Sequence, residues 1–298
     1  MAQSTALKTY NVVGNREDLT GYISTITRHK TPLFSDLPKT KASATYHEWQ
    51  TDSLSTGNAN AQIEGADFTF AIPATRTRLG NRTQIFTKSV EVSGTQREVE
   101  VAGIDDEFAN QLNKRMKEIA TDVEKALITG TGNSGASGTA RELQGILSFI
   151  ATNVETGTST AEAYLSETRF NNALQLIWDQ GGEPDSAYLN SFQKRQVSSF
   201  STPNTRYLDM DDSKTLKNTV SVYESDFGVI NIHLNSFMTT SKVAILQKDL
   251  WAVAVLRGIK TTDVAKVGDA DRAALVGELT LESRNEAGSA QITNLKTS

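Results

Sequence analysis

The chain has 298 residues, 38% hydrophobic and 22% charged, with no cysteine and a formal net charge of −5. This is the composition of a folded chain with room for one large domain or two modest ones. It excludes disulfides, thiolate zinc sites and iron–sulfur clusters; no apolar run reaches the roughly 18 residues of a membrane span; and the acidic balance argues against a general nucleic-acid binder. The start, MAQSTALKTYNVV, has no basic region followed by an apolar one, so no secretion signal is expected.

Residues 1 to 50 do not read as a compact unit. Leu19, Tyr22, Ile23 and Ile26 fall at helical spacing, with Asn15 as a candidate cap. Thr31-Pro32 and Leu37-Pro38 favour extended or turned backbone. Leu33, Phe34 and Leu37 are apolar but too few for a core. The reading is an extended arm with a few anchors, ordered only where it lies on another surface such as a second subunit. Arg28, His29, Lys30, Lys39 and Lys41 make it locally basic, as a solvated face would be.

Residues 46 to 92 read as a long two-stranded loop. Thr45 to Gln50 alternates like a strand, and Thr83 to Val92 is the expected return strand. The connection of about thirty residues far exceeds a hairpin turn, and its middle is rich in Gly, Ala, Asn and Thr. A lone two-stranded ribbon is marginal in water, so this one is expected to project and to lie on a neighbour. Trp49, Phe68 and Phe70 are candidate anchors, against packing within the same subunit. Arg76, Arg78 and Arg82 cluster on the loop, either for solubility or for ion pairing to the next subunit.

Ser93 to Gly103 is a link, strand or short helix. The segment Ile104 to Gly130 is the clearest helix, with Phe108, Leu112, Met116, Ile119, Val123 and Leu127 on one stripe. Asp105 or Asp106 is the expected cap, Lys114 the expected partner of Glu118, and Gly130 the expected left-handed end. Asp105 to Thr129 would span about 37 Å. Its stripe calls for packing on a sheet.

A Gly/Ser loop follows. Gly130, Gly132 and Gly135 match G-x-G-x-x-G, but that fingerprint must follow a strand and open a helix. Here it follows a long helix, so a surface loop is expected.

Residues 161 to 270 carry α+β logic: helix, strand, helix, then several strands. Ser166 is expected to cap a helix carrying Phe170, Leu174, Ile177 and Trp178, ended by Gly181-Gly182 and Pro184. Ala187 to Leu189 is a strand, Phe192 to Phe200 a basic helix, and Asp226-Phe227-Gly228 a hairpin turn. Further strands are expected at Val243 to Leu246 and Trp251 to Leu256. Ala274 to Glu282 is expected to pair with Ala290 to Ile292 across the Glu286-Ala287-Gly288 turn.

No catalytic constellation emerges. The three histidines, His29, His47 and His233, are not paired at helical spacing. There is no G-x-S-x-G elbow and no Walker A motif. Asp209, Asp211 and Asp212 suggest a calcium loop, but Lys214 stands where glycine is required, so a solvated acidic loop is expected. No cofactor and no metal are expected.

This order of arm, long loop, spine helix, α+β unit and closing strands resembles the major capsid proteins of tailed double-stranded DNA bacteriophages, the Hong Kong 97-type capsid fold. The phrases Arg16 to Leu19, Thr31 to Phe34, His47 to Leu54, Val92 to Gln96, Gly268 to Ala270 and Glu278 to Glu286 are similar to one subfamily of these proteins. The resemblance covers nearly the whole chain. It implies an N-arm over 1–45, an E-loop over 46–92 and a peripheral domain over 93–150 and 266–298 with its spine helix over 105–129. The axial domain would be 151–265. It also implies hexamers and pentamers in an icosahedral shell around DNA held non-specifically, with portal, decoration or scaffold partners. The location would be the virion after assembly in the host bacterial cytoplasm. Phe34, Trp49, Phe68, Phe70, Arg76, Arg78 and Arg82 are the expected intersubunit contacts.

Some relatives cross-link this loop through a lysine. The loop offers only Lys88, so no cross-link is expected. The arm begins close to Met1, so little processing and a separate scaffold or none are expected. The rival readings are an encapsulin-like compartment and a soluble nucleotide-binding α+β enzyme.

Overall fold

The computed structural model describes residues 27–52, 54, 57–67, 70, 75–101, 103–156, 163–200 and 221–297. The helix expected over 15–26, Phe68 and the acidic loop at Asp209 to Asp212 lie outside the described residues. Two sheets organise the remainder.

The first sheet has four strands, β1 (Lys39–Lys41), β12 (Trp251–Val264), β13 (Ala270–Ser283) and β4 (Gln84–Ser93), in the order β1-β12-β13-β4. β12 and β13 form a long antiparallel hairpin whose register shifts around Arg257, the mark of a bulge. The helix α3 (Glu107–Thr129) lies on this sheet. Asp106 caps it, accepting from the Phe108 amide at 2.9 Å. Ile119, Val123 and Leu127 are fully buried, whereas Phe108 and Leu112 are half-buried and Met116 is exposed. The second half of the apolar stripe is therefore fully buried in the core, and Leu112 packs at the edge of that core.

The second sheet has six strands, in the order β7 (Val154–Thr156), β14 (Ala290–Thr293), β11 (Val243–Leu246), β8 (Ser186–Leu189), β10 (Gly228–Leu234) and β9 (Val222–Ser225). α5 (Glu167–Asp179) packs Phe170, Ala173, Leu174 and Ile177 against it, and α6 (Ser191–Ser198) adds Val197. Ser166 caps α5 through the Arg169 amide, as its position predicts. Trp178 lies on the outer side, exposed beside Phe227.

Several expectations are corrected. Ala290–Thr293 does not pair with β13. It crosses to the six-stranded sheet, antiparallel to β11 and parallel to β7. Likewise Trp251–Val264, expected with the 151–265 unit, belongs to the four-stranded sheet. The return strand of the projecting ribbon is not 83–92. β2 (Tyr46–Thr51) pairs with β3 (Thr77–Arg82), and β4 instead pairs with β13. The break is Thr83, fully buried, whose hydroxyl donates to Glu278 at 2.7 Å.

Part of the expected arm is built into the subunit. Within residues 31–42 of the arm, α1 (Pro32–Asp36) buries Leu33, Leu37 follows it into the same core, and β1 pairs in parallel with β12. Burying each leucine is worth about 1.5–3 kcal/mol.

The segment after Gly130 is ordered as a small hairpin, β5 (Thr131–Asn133) with β6 (Glu142–Gln144), followed by α4 (Ile146–Phe149). Gly130 has φ −54°, so it is not the left-handed end expected. Glycine is required there by close approach, because a Cβ would collide with the carbonyls of Leu143 and Ala126. The link before α3 resolves as α2 (Gly94–Glu98), capped by Ser93. Glu118 takes Arg115 at 2.6 Å, not Lys114, as its helical partner.

Candidate functional site

The ribbon β2–β3 leaves the body of the subunit from a base made of buried polar groups. Asn81 is its centre. Its amide donates to Leu281 O at 2.8 Å and Gln144 O at 3.0 Å, and its oxygen accepts from the amides of Arg82 and Gln144. Every polar atom of a buried amide is thus matched, and such networks fix one geometry. Two glutamates of β13 complete the base. Glu278 gathers Thr83, Arg141 at 2.9 Å and Arg257 at 3.1 Å. Glu282 meets Thr40 at 3.1 Å, His47 at 3.2 Å and Arg284 at 3.1 Å. Burial pushes the Glu282 carboxyl up, but the hydrogen bonds from Arg284, His47 and Thr40 outweigh it and hold it below its ordinary value.

Beyond this base the ribbon loses its cover. Leu54 is 98% exposed, Ile63 84% and Phe70 93%. Large apolar side chains at such exposure on one segment are a candidate surface for a partner.

The other expected contact residues divide. Trp49 points back toward the body, half-buried, 6.2 Å from Phe149, which lies 6.1 Å from the buried Trp251. Phe34 is half-buried against the main core, with Lys39 over its ring at 4.5 Å. The arginines meet groups of the facing strand or its continuation: Arg76 lies 3.4 Å from Asp52, Arg78 3.0 Å from Glu48, and Arg82 over the Tyr46 ring at 5.0 Å.

A second buried carboxylate ties the arm to the body, and sequence reasoning missed it. Glu124 of α3 lies off the apolar stripe yet is fully buried. Its oxygens accept from the amides of Leu33 at 3.0 Å and Phe34 at 2.8 Å, and from the Asn235 side chain. It thus satisfies free N–H groups at the start of α1 from another element. Burial raises the Glu124 carboxyl; these hydrogen bonds only partly offset it, and Asp36 adds to the rise. Beside it, Asp36 accepts from the Tyr188 hydroxyl at 3.0 Å and lies 3.3 Å from His233 Nδ1. Burial, then the charge of Asp36, drives the Tyr188 phenol upward and keeps it a donor. The one sequence signal for Glu124 was its place beside Val123 and one turn before Leu127 and Ile128.

The Gly130–Gly135 run opens the β5–β6 hairpin and follows a helix, so it lacks the strand-to-helix setting of a phosphate cradle. Among the described residues no group of His, Asp or Glu could hold a metal ion.

The site thus combines a base of buried hydrogen bonds, exposed apolar side chains and an arm tied into the core. Comparison with known proteins decides the matter. A family model described as SU10 major capsid protein matches residues 4–296. The chain belongs to that family. It is 25% identical to a major capsid protein of Escherichia phage Phieco32, over 96% of each chain. Its fold matches a chain of the Cyanophage A-1(L) capsid asymmetric unit with TM-score 0.70, 11% identity and coverage of 97% and 98%. It also matches the SrpI encapsulin complex of Synechococcus elongatus PCC 7942, with TM-score 0.59, 12% identity and coverage of 95% and 93%.

The fold is therefore α+β, of Hong Kong 97 type. The chain is a structural capsid protein of a phage virion, not an enzyme, and it is a shell subunit.

Proposed function

We propose that this capsid protein forms hexamers and pentamers that close into the icosahedral head of a tailed phage, around double-stranded DNA held without sequence preference. The observation that carries this is the ribbon: anchored by Asn81, Glu278 and Glu282, and bare at Leu54, Ile63 and Phe70. In this reading the ribbon is the E-loop and lies across the adjacent subunit. The four-stranded sheet with α3 forms the peripheral domain, and the six-stranded sheet with α5 and α6 the axial domain. In this reading β12 is assigned to the former and β14 to the latter, a division that sheet membership supports.

Closed symmetric shells repeat one set of modest contacts. Ordering the ribbon and the outer arm on a neighbour couples those contacts to assembly. Phe70 is the leading intersubunit anchor, and Phe68 is assigned beside it on the sequence pattern. Trp49 and Phe34 set the ribbon and arm at their roots. Arg76, Arg78 and Arg82 stiffen the ribbon and offer charge to the neighbour. Lys88 is drawn to Asp122 at 2.8 Å on the helix, away from the ribbon, which supports a shell without lysine cross-links. A portal protein is the further partner, with decoration or scaffold proteins as additional candidates, and assembly takes place in the host bacterial cytoplasm.

The encapsulin-like reading rests on fold likeness alone, whereas the capsid reading also has sequence kinship.

The absence of native cysteine gives a clean test. An Ile63→Cys chain reacts with a maleimide as free subunits and is protected in assembled particles. Equal labelling in both states contradicts the strap.

A further inference from the structure

Three cations at the outer side of α3 stand apart from the charge pairing that ties up most arginines of the fold. Lys114 and Lys117 lie at i and i+3 on the helix, and Arg28 of the arm meets them across a cavity of about 220 Å³. Thr27, His29, Glu118 and Thr121 complete its lining. Among the described residues none of the three cations has an ion-pair partner. The one acid at the rim, Glu118, is already engaged by Arg115 at 2.6 Å and by Lys88 at 3.9 Å. The Thr121 hydroxyl is turned to the Glu118 carbonyl at 2.7 Å. Two chain segments more than eighty residues apart thus bring uncompensated positive charge to one concavity, on a chain whose net charge is −5.

The geometry points to a phosphate-binding site at Arg28, Lys114 and Lys117, which we infer takes phosphodiesters of the packaged duplex. It rests on the capsid reading and adds to it the face of the subunit that meets DNA. Lysines supply point charges with no base-edge pattern, so the contact is positional and sequence-blind. It is also sparse. Two or three phosphates per subunit steady the outer layer of DNA without gripping it, which an acidic wall permits.

The test measures binding of a short random-sequence duplex to the full-length chain by fluorescence anisotropy across a salt series. Replacing Arg28, Lys114 and Lys117 together by alanine is expected to weaken binding. It should also make the slope of log K against log salt shallower by about 2 to 3. Lys242→Ala with Lys260→Ala, neither of which lines the cavity, should leave the slope unchanged. A triple variant with the wild-type slope overturns the site. So does equal loss in the control pair. Inorganic phosphate or polyglutamate displacing the duplex at matched charge concentration overturns the DNA assignment, in favour of a free anion or an acidic protein segment. Electron microscopy of the same preparations reads assembly separately: a wild-type chain that forms no shells contradicts the capsid reading, whereas normal shells with an unchanged slope contradict only the site.

Discussion

Glu124, deep in the long helix, holds the backbone of Leu33 at 3.0 Å, across 91 residues of sequence. One carboxylate thereby joins the arm, the helix and, through Asn235, the residue that follows β10 of the second sheet. Glu124→Ala leaves buried amide donors unpaired and is expected to cost about 2–4 kcal/mol. Glu124→Gln keeps the volume but sets an amide donor against a backbone N–H, and should cost about 1–3 kcal/mol. Urea unfolding gives the loss. Limited proteolysis should cut first within residues 27–42. Wild-type stability in either variant would contradict the tie.

Acid should loosen the ribbon. Glu282 titrates below its ordinary value of 4.5 when folded, so the unfolded chain takes up its proton first as pH falls. Its contribution is complete above about 4.5 and is lost as pH drops through the folded value. Glu282→Gln should lower stability at neutral pH and flatten the acid limb of the melting profile. A profile parallel to wild type would remove Glu282 from the account.

Phe70→Ala should change subunit stability by no more than about 0.5 kcal/mol, because the side chain touches little in its own chain. Shell yield should nevertheless fall sharply. Trp49→Ala differs, since its ring leans on Phe149, and it should lower both stability and yield. Thermal melts and particle counts on the same preparations separate the two effects.

Arg78→Glu opposes Glu48 across the ribbon, but both groups are solvated, so the subunit should lose about 0.5 kcal/mol or less. A larger fall in assembly than in stability would assign Arg78 a cross-subunit contact. Equal small changes in both would confine it to the ribbon.

Gly145→Ala should destabilise by about 1–3 kcal/mol through overpacking. A Cβ there would meet Gly130 N at 2.7 Å and Ala126 O at 2.8 Å, both backbone atoms that cannot swing aside. Unfolding at the wild-type urea midpoint would contradict this contact.

Local chemistry made much of the fold legible. The stripe of α3, the Ser166 cap and the turn at Gly228 each depend on residues close in sequence. What stayed hidden depends on distant partners. Thr83 ends one strand and precedes another because Glu278 reaches its hydroxyl, so an apparently continuous strand over 83–92 concealed the shorter return strand before it. The last strand reads as the partner of its neighbour, yet it joins another sheet, because the Glu286 turn carries it across. Leu33 and Leu37 look too few for a core because the core they enter is supplied by α3. Glu124 looks like one more surface acid because its partners are backbone amides, which carry no side-chain signature. Of the exposed residues beyond the ribbon, Phe70 was legible as an aromatic with no core of its own, whereas Leu54 and Ile63 were not singled out.

The central claim is that this chain closes into shells by laying its ribbon on a neighbour. Negative-stain electron microscopy of the purified full-length chain, beside the same chain carrying Phe70→Ala, tests it most directly. The account predicts capsomers or closed icosahedral particles for the first and few or none for the second. A wild-type chain that stays monomeric at every concentration, or a variant that assembles as well as wild type, would contradict it.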